Sequence, residues 1–239
     1  MSEKWQVVCP CLFPPWNAQQ MLESAGEITV PFLLIDNSPN SNCKDMKISK
    51  DIEVQYHPEN LGTSMSWNLG IMRGAKWTLI LSASTRFPEG GLKKYLEGAE
   101  NWANEFGFFS PIGGHCHAVG KSQTKLAGLW DPNFFPGYKE DSSMGHILNR
   151  TMSMVGAIPH YSPPGLHIVA SAVAVRSSCF LDQRPAQREA YYLAKHGGKE
   201  GYEKFEHPFN DPTKPIQYWP QPEWFKNRGL PEWDWYQRL

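Results

Sequence analysis

The sequence has no run of about 18 apolar residues that could cross a bilayer, no internal repeat and no low-complexity tract. Its five cysteines, Cys9, Cys11, Cys43, Cys116 and Cys179, are odd in number and fit no zinc spacing. A disulfide framework is thereby disfavoured, and free thiols in a reducing compartment are expected. Charge of one sign is also missing: the formal net charge is -1, so no global pull toward DNA or an anionic membrane follows. A local basic groove stays open. No charged start followed by an apolar signal segment is seen, which leads to the expectation of a cytoplasmic protein with no membrane of its own.

What is present is an ordinary globular composition, 41% hydrophobic and 20% charged, in 239 residues. That length suits one large α/β domain better than two full ones. The apolar run from Gln6 to Leu12 reads as a buried first strand that ends at Phe13-Pro-Pro15, and Asn17 reads as the cap of a short helix through Ser24. Val30 to Ile35 is the second run, ended by the turn cluster Asp36-Asn-Ser-Pro-Asn40. Ile52 to Tyr56 alternates like a strand, and Met65, Leu69 and Met72 fall at helical spacing in a helix over 63–73. Trp77 to Leu81 reads as a central strand, 91–106 as a helix and 108–112 as another strand. The stretch 113–125 reads as a glycine- and histidine-containing loop. A helix over 142–154, an apolar strand over 168–175 and a helix over 187–196 follow.

Strands alternating with helices predict a mostly parallel sheet flanked by helices. Ligands bind such sheets beyond the carboxyl ends of the strands. The polar clusters 36–38 and 82–85 lie at those ends and mark the expected site. The helix that opens beside Gly62 offers a polar N-terminus suited to a phosphate or ribose. The tail from 208 onward, with Trp219, Trp224, Trp233, Trp235 and Tyr236, is read as an aromatic extension packed on the domain formed by 1–207, with a sugar- or base-stacking surface as the alternative.

Several segments together resemble one family. Asp36-Asn-Ser-Pro-Asn40 is similar to the loop closing the second strand of family-2-type glycosyltransferases. Asn60-Leu-Gly-Thr-Ser-Met-Ser-Trp-Asn-Leu-Gly-Ile71, with Ala75, resembles their donor helix, and Leu79 to Phe87 resembles the strand that leads to their metal-binding acid. Leu129 to Asp141, followed by Arg150, resembles their acceptor loop. Tyr191 to Gly198, with His207 to Asn210, resembles the end of small soluble members, including phage-encoded ones. The resemblance covers most of the chain and implies a single Rossmann-like type A fold. It implies an inverting transfer from a nucleoside-diphosphate sugar, with uridine as the expected carrier, to an acceptor hydroxyl, with a hydroxymethylated base in phage DNA among the acceptors.

Such a transfer needs a carboxylate that takes the acceptor proton. Asp141 is assigned to it, supported by Glu140, and a helix N-terminus is expected to hold the carboxylate ionised. Simple helix capping is the alternative. The donor site is expected to comprise Pro10, Asp36, Asn60, Gly62, Asn68, Ser82, Ser84 and Arg86. Asp36, Asn60 and Asn68 fit turn-forming roles equally well. Gly62 and Gly70 suggest close backbone approach or helix packing.

One departure from the family matters. Its metal-binding acid falls at Ser84, with Ser82 as companion. Hydroxyls are poor ligands for Mg²⁺ or Mn²⁺, so no required metal is expected. A side-chain cation would then face the diphosphate. Arg86 is preferred over Arg73 and Lys139, with a solvated Arg as the alternative. His167, or His160, lies where relatives can touch the diphosphate, and a plain loop histidine is the alternative for both. His115-Cys-His117 lacks further metal partners and is read at most as substrate-facing. The phosphate-loop-like Gly114 to Ser122 has the wrong spacing and is rejected. Two other functions remain: a non-catalytic nucleotide-sugar-binding protein, and a nucleotidyltransferase. The latter would want a basic, glycine-rich first loop, and 11–16 has neither feature.

Overall fold

The computed structural model describes residues 4–12, 15–39, 42–106, 109–112, 116–135, 137, 139–154, 169–170 and 185–222. Strands β1 (Trp5–Cys11), β2 (Phe32–Asp36) and β4 (Trp77–Leu81) are the apolar runs expected from the sequence, and β3 (Ile52–Tyr56) is the alternating stretch. They pair in parallel in the order β3-β2-β1-β4. Two further strands, β6 (Phe109–Ile112) and β7 (Cys116–Gly120), complete a six-stranded sheet in which β7 runs antiparallel to both β4 and β6. A separate short ribbon pairs β5 (Thr85–Arg86) with β8 (Val169–Ala170). The sheet is therefore mostly parallel, as predicted.

Alternation along the strands divides the core in two. Val7, Cys9, Cys11, Phe32, Leu34, Leu79 and Leu81 face one side with helices α1 (Pro15–Ala25) and α3 (Gly91–Phe106). Val8, Leu33, Ile35 and Ile80 face the other, with α2 (Gly62–Ile71), α4 (Lys121–Ala127) and α5 (Glu140–Met154). Helix α2 lies close on the sheet because Gly70 has no side chain: a Cβ there would meet Val8 at 2.4 Å. The last helix, α6 (Pro185–His196), packs on the 3-10 turn Pro132–Phe134.

The structure corrects three local expectations. Asn17 lies inside α1 and does not cap it. The expected loop over 113–125 contains β7 and α4. All five residues of β7 are buried, so no apolar/polar alternation advertised the strand, and its histidine and glycine mimicked a loop. Gly120-Lys121-Ser122 thus does join a strand to a helix. Yet Gly120 is packed against Trp77 and Gln123, at the end of the sheet away from the parallel strands' carboxyl ends. Finally, α5 begins at Glu140, two residues earlier than predicted. Of the expected strand over 168–175, residues 169–170 are described and form β8. His160 and His167 lie outside the described residues, as do His115, Trp224, Trp233, Trp235 and Tyr236.

Cys9, Cys11, Cys43 and Cys116 are free and buried, in line with the expectation of thiols. Burial raises the Cys9 thiol well above its ordinary range and pushes Cys116 up to about 12, which makes them inert packing groups. Among the described residues no helix is long and apolar enough to cross a membrane. Trp219, from the tail, is 4% exposed and belongs to the second core.

Candidate active site

The sheet opens at its carboxyl end. Pairing of β1 with β2 continues to Cys11 and Asp36, whereas pairing with β4 stops at Val8 and Ile80. Pro10 lies just past that divergence, in a half-exposed position where a strand can tolerate a residue without an N–H. Such a split, between strands whose connections leave in opposite directions, is where open α/β sheets bind ligands.

Around it stand the residues predicted for the donor. Asp36 ends β2 and is fully buried. Its Oδ1 accepts from the Ser38 amide at 3.0 Å and from the Ser38 hydroxyl, and its Oδ2 accepts from the Cys43 amide at 3.0 Å. Both oxygens thus shape the loop, the turn-forming alternative left open by the sequence. Asn60 likewise forms a turn, with Oδ1 accepting from the Gly62 amide at 2.8 Å. Gly62 opens α2 at a φ of 74°, a left-handed conformation that suits glycine. Asn37, which the sequence reading passed over, ties the two loops together. Its Nδ2 donates to the Ser66 hydroxyl at 2.7 Å, and its Oδ1 accepts from the Leu61 amide at 3.3 Å.

Asn68 has a different job from the one expected. Fully buried, it donates to the Trp130 carbonyl at 2.8 Å and accepts from the Trp130 amide at 2.9 Å. The side chain therefore replaces a backbone partner and joins α2 to the loop that carries Trp130. Beneath this junction the rings of Trp67, Trp130 and His117 pack together, Trp67 edge to face with each of the others and His117 tilted against Trp130, with centroids 4.7–5.8 Å apart. His117 is accordingly a packed ring, not a substrate-facing one.

The end of β4 carries no carboxylate. Ser82 Oγ and Ser84 Oγ are 2.7 Å apart, and Ser82 Oγ also accepts from the Ser84 amide at 3.2 Å. No cluster of three metal-ligating side chains exists among the described residues. The hydroxyl pair does not fit a divalent cation, whose preferred ligands are carboxylate and phosphate oxygens.

Arg86 does not stand free for the diphosphate. Its guanidinium donates to the carbonyls of Thr85 at 2.7 Å, Ala83 at 3.2 Å and Asn17 at 3.3 Å, and to Gln20 Oε1 at 2.6 Å. Arg86 instead bolts the turn after β4 to α1. Burial lowers its pKa, partly offset by Glu23. Arg73 is a bidentate partner of Glu53, at 2.5 and 2.8 Å, at the far end of α2 from the site. Lys139 stands directly before α5. Its φ of 73° is a left-handed conformation rarely held without cause, and its carbonyl accepts the Ser143 amide to start the helix. Its ammonium lies 3.2 Å from Glu200 and 3.5 Å from Glu189. Burial works against its charge, but the two glutamates outweigh that and raise its pKa.

The acid pair at the start of α5 is split by environment. Glu140 is 6% exposed, and its Oε2 is buried without a hydrogen bond among the described residues. Burial, then the neighbouring Asp141, pushes its pKa up to about 8, with Arg188 pulling the other way. At Glu140 desolvation outweighs any help from the helix N-terminus. Asp141 is half-exposed, and its Oδ1 accepts the Ser142 amide at 2.8 Å.

Behind the pair lies a polar network that the sequence did not reveal: Asp131, Lys195, Ser143 and His196. Lys195 Nζ is 2.7 Å from Asp131 Oδ2, and Ser143 Oγ is 2.9 Å from His196 Nε2. Burial, with the charges of Lys195, His146 and Arg150, holds His196 down at about 2. One signal for the network was available. Arg188, Tyr192, Lys195 and His196, all buried, recur at helical spacing on α6.

Glu140 and His196 together predict how stability varies with pH. A carboxyl raised from an ordinary 4.5 to about 8 contributes stability that is complete below pH 4.5 and is lost as pH rises through 8. An imidazole depressed from 6.5 to about 2 contributes stability that is complete above pH 6.5 and is lost as pH falls toward 2. Between about 4.5 and 6.5 the two slopes cancel. Denaturant unfolding across pH is expected to show a plateau there and a fall from 6.5 to 8 of at most about 1.4 kcal/mol per pH unit. The alkaline fall should vanish in Glu140→Gln, and a fall unchanged in that variant would contradict the assignment.

No protein-family model matches the chain, and no curated protein sequence matches it. Solved structures do match. Glucosyl-3-phosphoglycerate synthase from Mycobacterium tuberculosis, in complex with Mn²⁺, UDP and glucosyl-3-phosphoglycerate, gives a TM-score of 0.55 at 11% identity, covering 79% of each chain. The same synthase with Mn²⁺, UDP and phosphoglyceric acid gives 0.54 at 13% identity, over 79% of this chain and 78% of that one. TarS 1-349 from S. aureus, in complex with UDP, gives 0.50 at 10% identity, over 83% of this chain and 73% of that one. The fold is the type A glycosyltransferase fold. At these identities the likeness is one of architecture, so the chemistry has to be argued from the residues themselves.

Proposed function

We propose that the chain transfers a sugar, with inversion, from a uridine-diphosphate sugar to an acceptor hydroxyl. The acceptor oxygen attacks the anomeric carbon while the bond from that carbon to the diphosphate oxygen breaks. The acceptor proton passes to Asp141, and the nucleoside diphosphate departs with the bonding electron pair. The observation that carries this reading is the division of the acid pair at the first turn of α5. Glu140 is buried with its carboxyl raised, and Asp141 stands half-exposed beside it. Geometry decides between them, since a base must reach its proton. Nucleotide recognition is supported by the loops at the sheet split, built by Asp36, Asn37 and Asn60, and by the UDP bound in the similar structures.

Departure of the diphosphate proceeds in this reading without a required metal, because Ser82 and Ser84 offer hydroxyls where a carboxylate would be needed. Lys139 is the predicted cation nearest the base. Its glutamate partners are exposed, and such bridges are worth only about 0–1 kcal/mol, so its ammonium can turn to a diphosphate. The acceptor is a hydroxyl compound. A hydroxymethylated base in DNA belongs to that class, although the net charge of -1 lends it no general attraction.

A thermal-shift panel of nucleotide sugars, followed by transfer assays read by mass spectrometry on small hydroxyl compounds and modified DNA, tests the reading. Transfer from the stabilising donor is expected to persist in excess EDTA. Strong inhibition by EDTA that Mn²⁺ reverses would overturn the metal-free departure. The absence of any stabilising nucleotide sugar would overturn the transferase reading itself.

A further inference from the structure

The acceptor loop is gripped at two consecutive residues by buried polar side chains from two helices. Asn68 of α2 holds both backbone groups of Trp130. Lys195 of α6 holds Asp131. This lysine is fully buried, its Nζ 2.7 Å from Asp131 Oδ2 and 3.4 Å from Ser143 Oγ. The rest of the Asp131 carboxylate is satisfied too: Oδ2 accepts from the Tyr191 hydroxyl at 2.8 Å, and Oδ1 from the Asn133 amide at 2.9 Å and from Asn133 Nδ2 at 2.8 Å.

Stability alone is a poor reason for this arrangement. Removing two charges from water costs about as much as their attraction returns, and a packed apolar pair is often no worse. Place is the better reason. A single ammonium touches Asp131 at one end of segment 131–143 and Ser143 at the other, and Glu140 and Asp141 lie between them. Ser143 is on the first turn of α5, two residues after Asp141. The two ends of the segment thus meet at one charge, as the feet of an arch.

We propose that Lys195 is a positioning residue for transfer, which closes the arch from Asp131 to Ser143 and thereby aims the Asp141 carboxylate at the acceptor. Being fully buried, it touches no substrate. The proposal rests on the reading of Asp141 as the base.

The test compares Lys195→Met, Asp131→Asn, the double variant and Ser143→Ala with the parent, in Tm, kcat and donor KM. Either single charge removal leaves the other charge buried and should lower the Tm. The double variant removes both and should recover most of that loss. Its kcat for transfer should still fall at least tenfold with donor KM within twofold, a split that a merely stabilising pair would not produce. Ser143→Ala cuts the arch at the α5 end without burying a charge. It is expected to keep its Tm within a few degrees and to lose at least threefold in kcat, and it decides the matter if the double variant does not fold. Parent-like kcat in a folded double variant, or in Ser143→Ala, overturns the proposal while leaving the transferase reading intact. A parent that moves sugar from no donor overturns both.

Discussion

Asp141→Asn is expected to lower transfer about 10²–10⁴-fold, the usual contribution of a positioned general base, with donor affinity unchanged. Glu140→Gln is expected to stay within a few-fold of the parent at neutral pH. Its carboxyl, raised to about 8, already carries a proton there, and an amide reproduces a neutral group of the same shape. Transfer measured at saturating donor, together with donor binding by thermal shift, separates the outcomes. Were Glu140→Gln inactive and Asp141→Asn active, the roles of the two would have to be exchanged. Were neither to matter while the donor still bound, the chain would be a nucleotide-sugar-binding protein. The division follows a general rule, that two neighbouring carboxyls take separate roles when their surroundings push their pKa values apart.

Trp219→Ala is expected to cost about 3–5 kcal/mol, as large aromatic truncations in cores do. In a chain of this size that corresponds to a Tm lower by roughly 6–20 °C. The indole is 4% exposed and packs in the cluster that includes Trp67, Trp130 and Leu129. The next residue also reaches the turn after Trp130, with the Pro220 carbonyl accepting from Asn133 Nδ2 at 2.7 Å. Denaturant unfolding measures the loss. A change under 1 kcal/mol would show that the tail only lies over the core and forms no part of it.

Much of the scaffold was legible because parallel strands buried on both faces read as uninterrupted apolar runs, which is how β1, β2 and β4 stood out. Strand β7 obeys the same burial rule but holds His117 and Gly120, so its five residues looked like a loop. The turn-forming alternatives for Asp36 and Asn60 were legible, because an Asx side chain bonds its own backbone nearby and local sequence encodes that. Partners far away in sequence were not. Asn68 and Trp130 are separated by 62 positions, Lys195 and Asp131 by 64, and nothing local marks either pair. The partners of Arg86 were hidden for a related reason. Its place after a strand was right, but α1 supplies enough acceptors to occupy the guanidinium, and that packing is invisible along the chain.

The grip on Trp130 and Asp131 also sets an order of assembly. Loop closure over long separations is entropically costly and comes late in folding. The loops at the sheet split are assembled from residues before 87, so they can form while the rest of the chain is still being synthesised. The grip on Trp130 and Asp131 has no such independence. Its closing charge is Lys195, and Trp219 packs in the same core as Trp130, so a nascent chain that has not yet reached these residues would hold formed loops at the sheet split beside a Trp130 and Asp131 still lacking their distant partners. Completion of this part of the molecule is in this sense a late event in its life, reached only when α6 and Trp219 have docked.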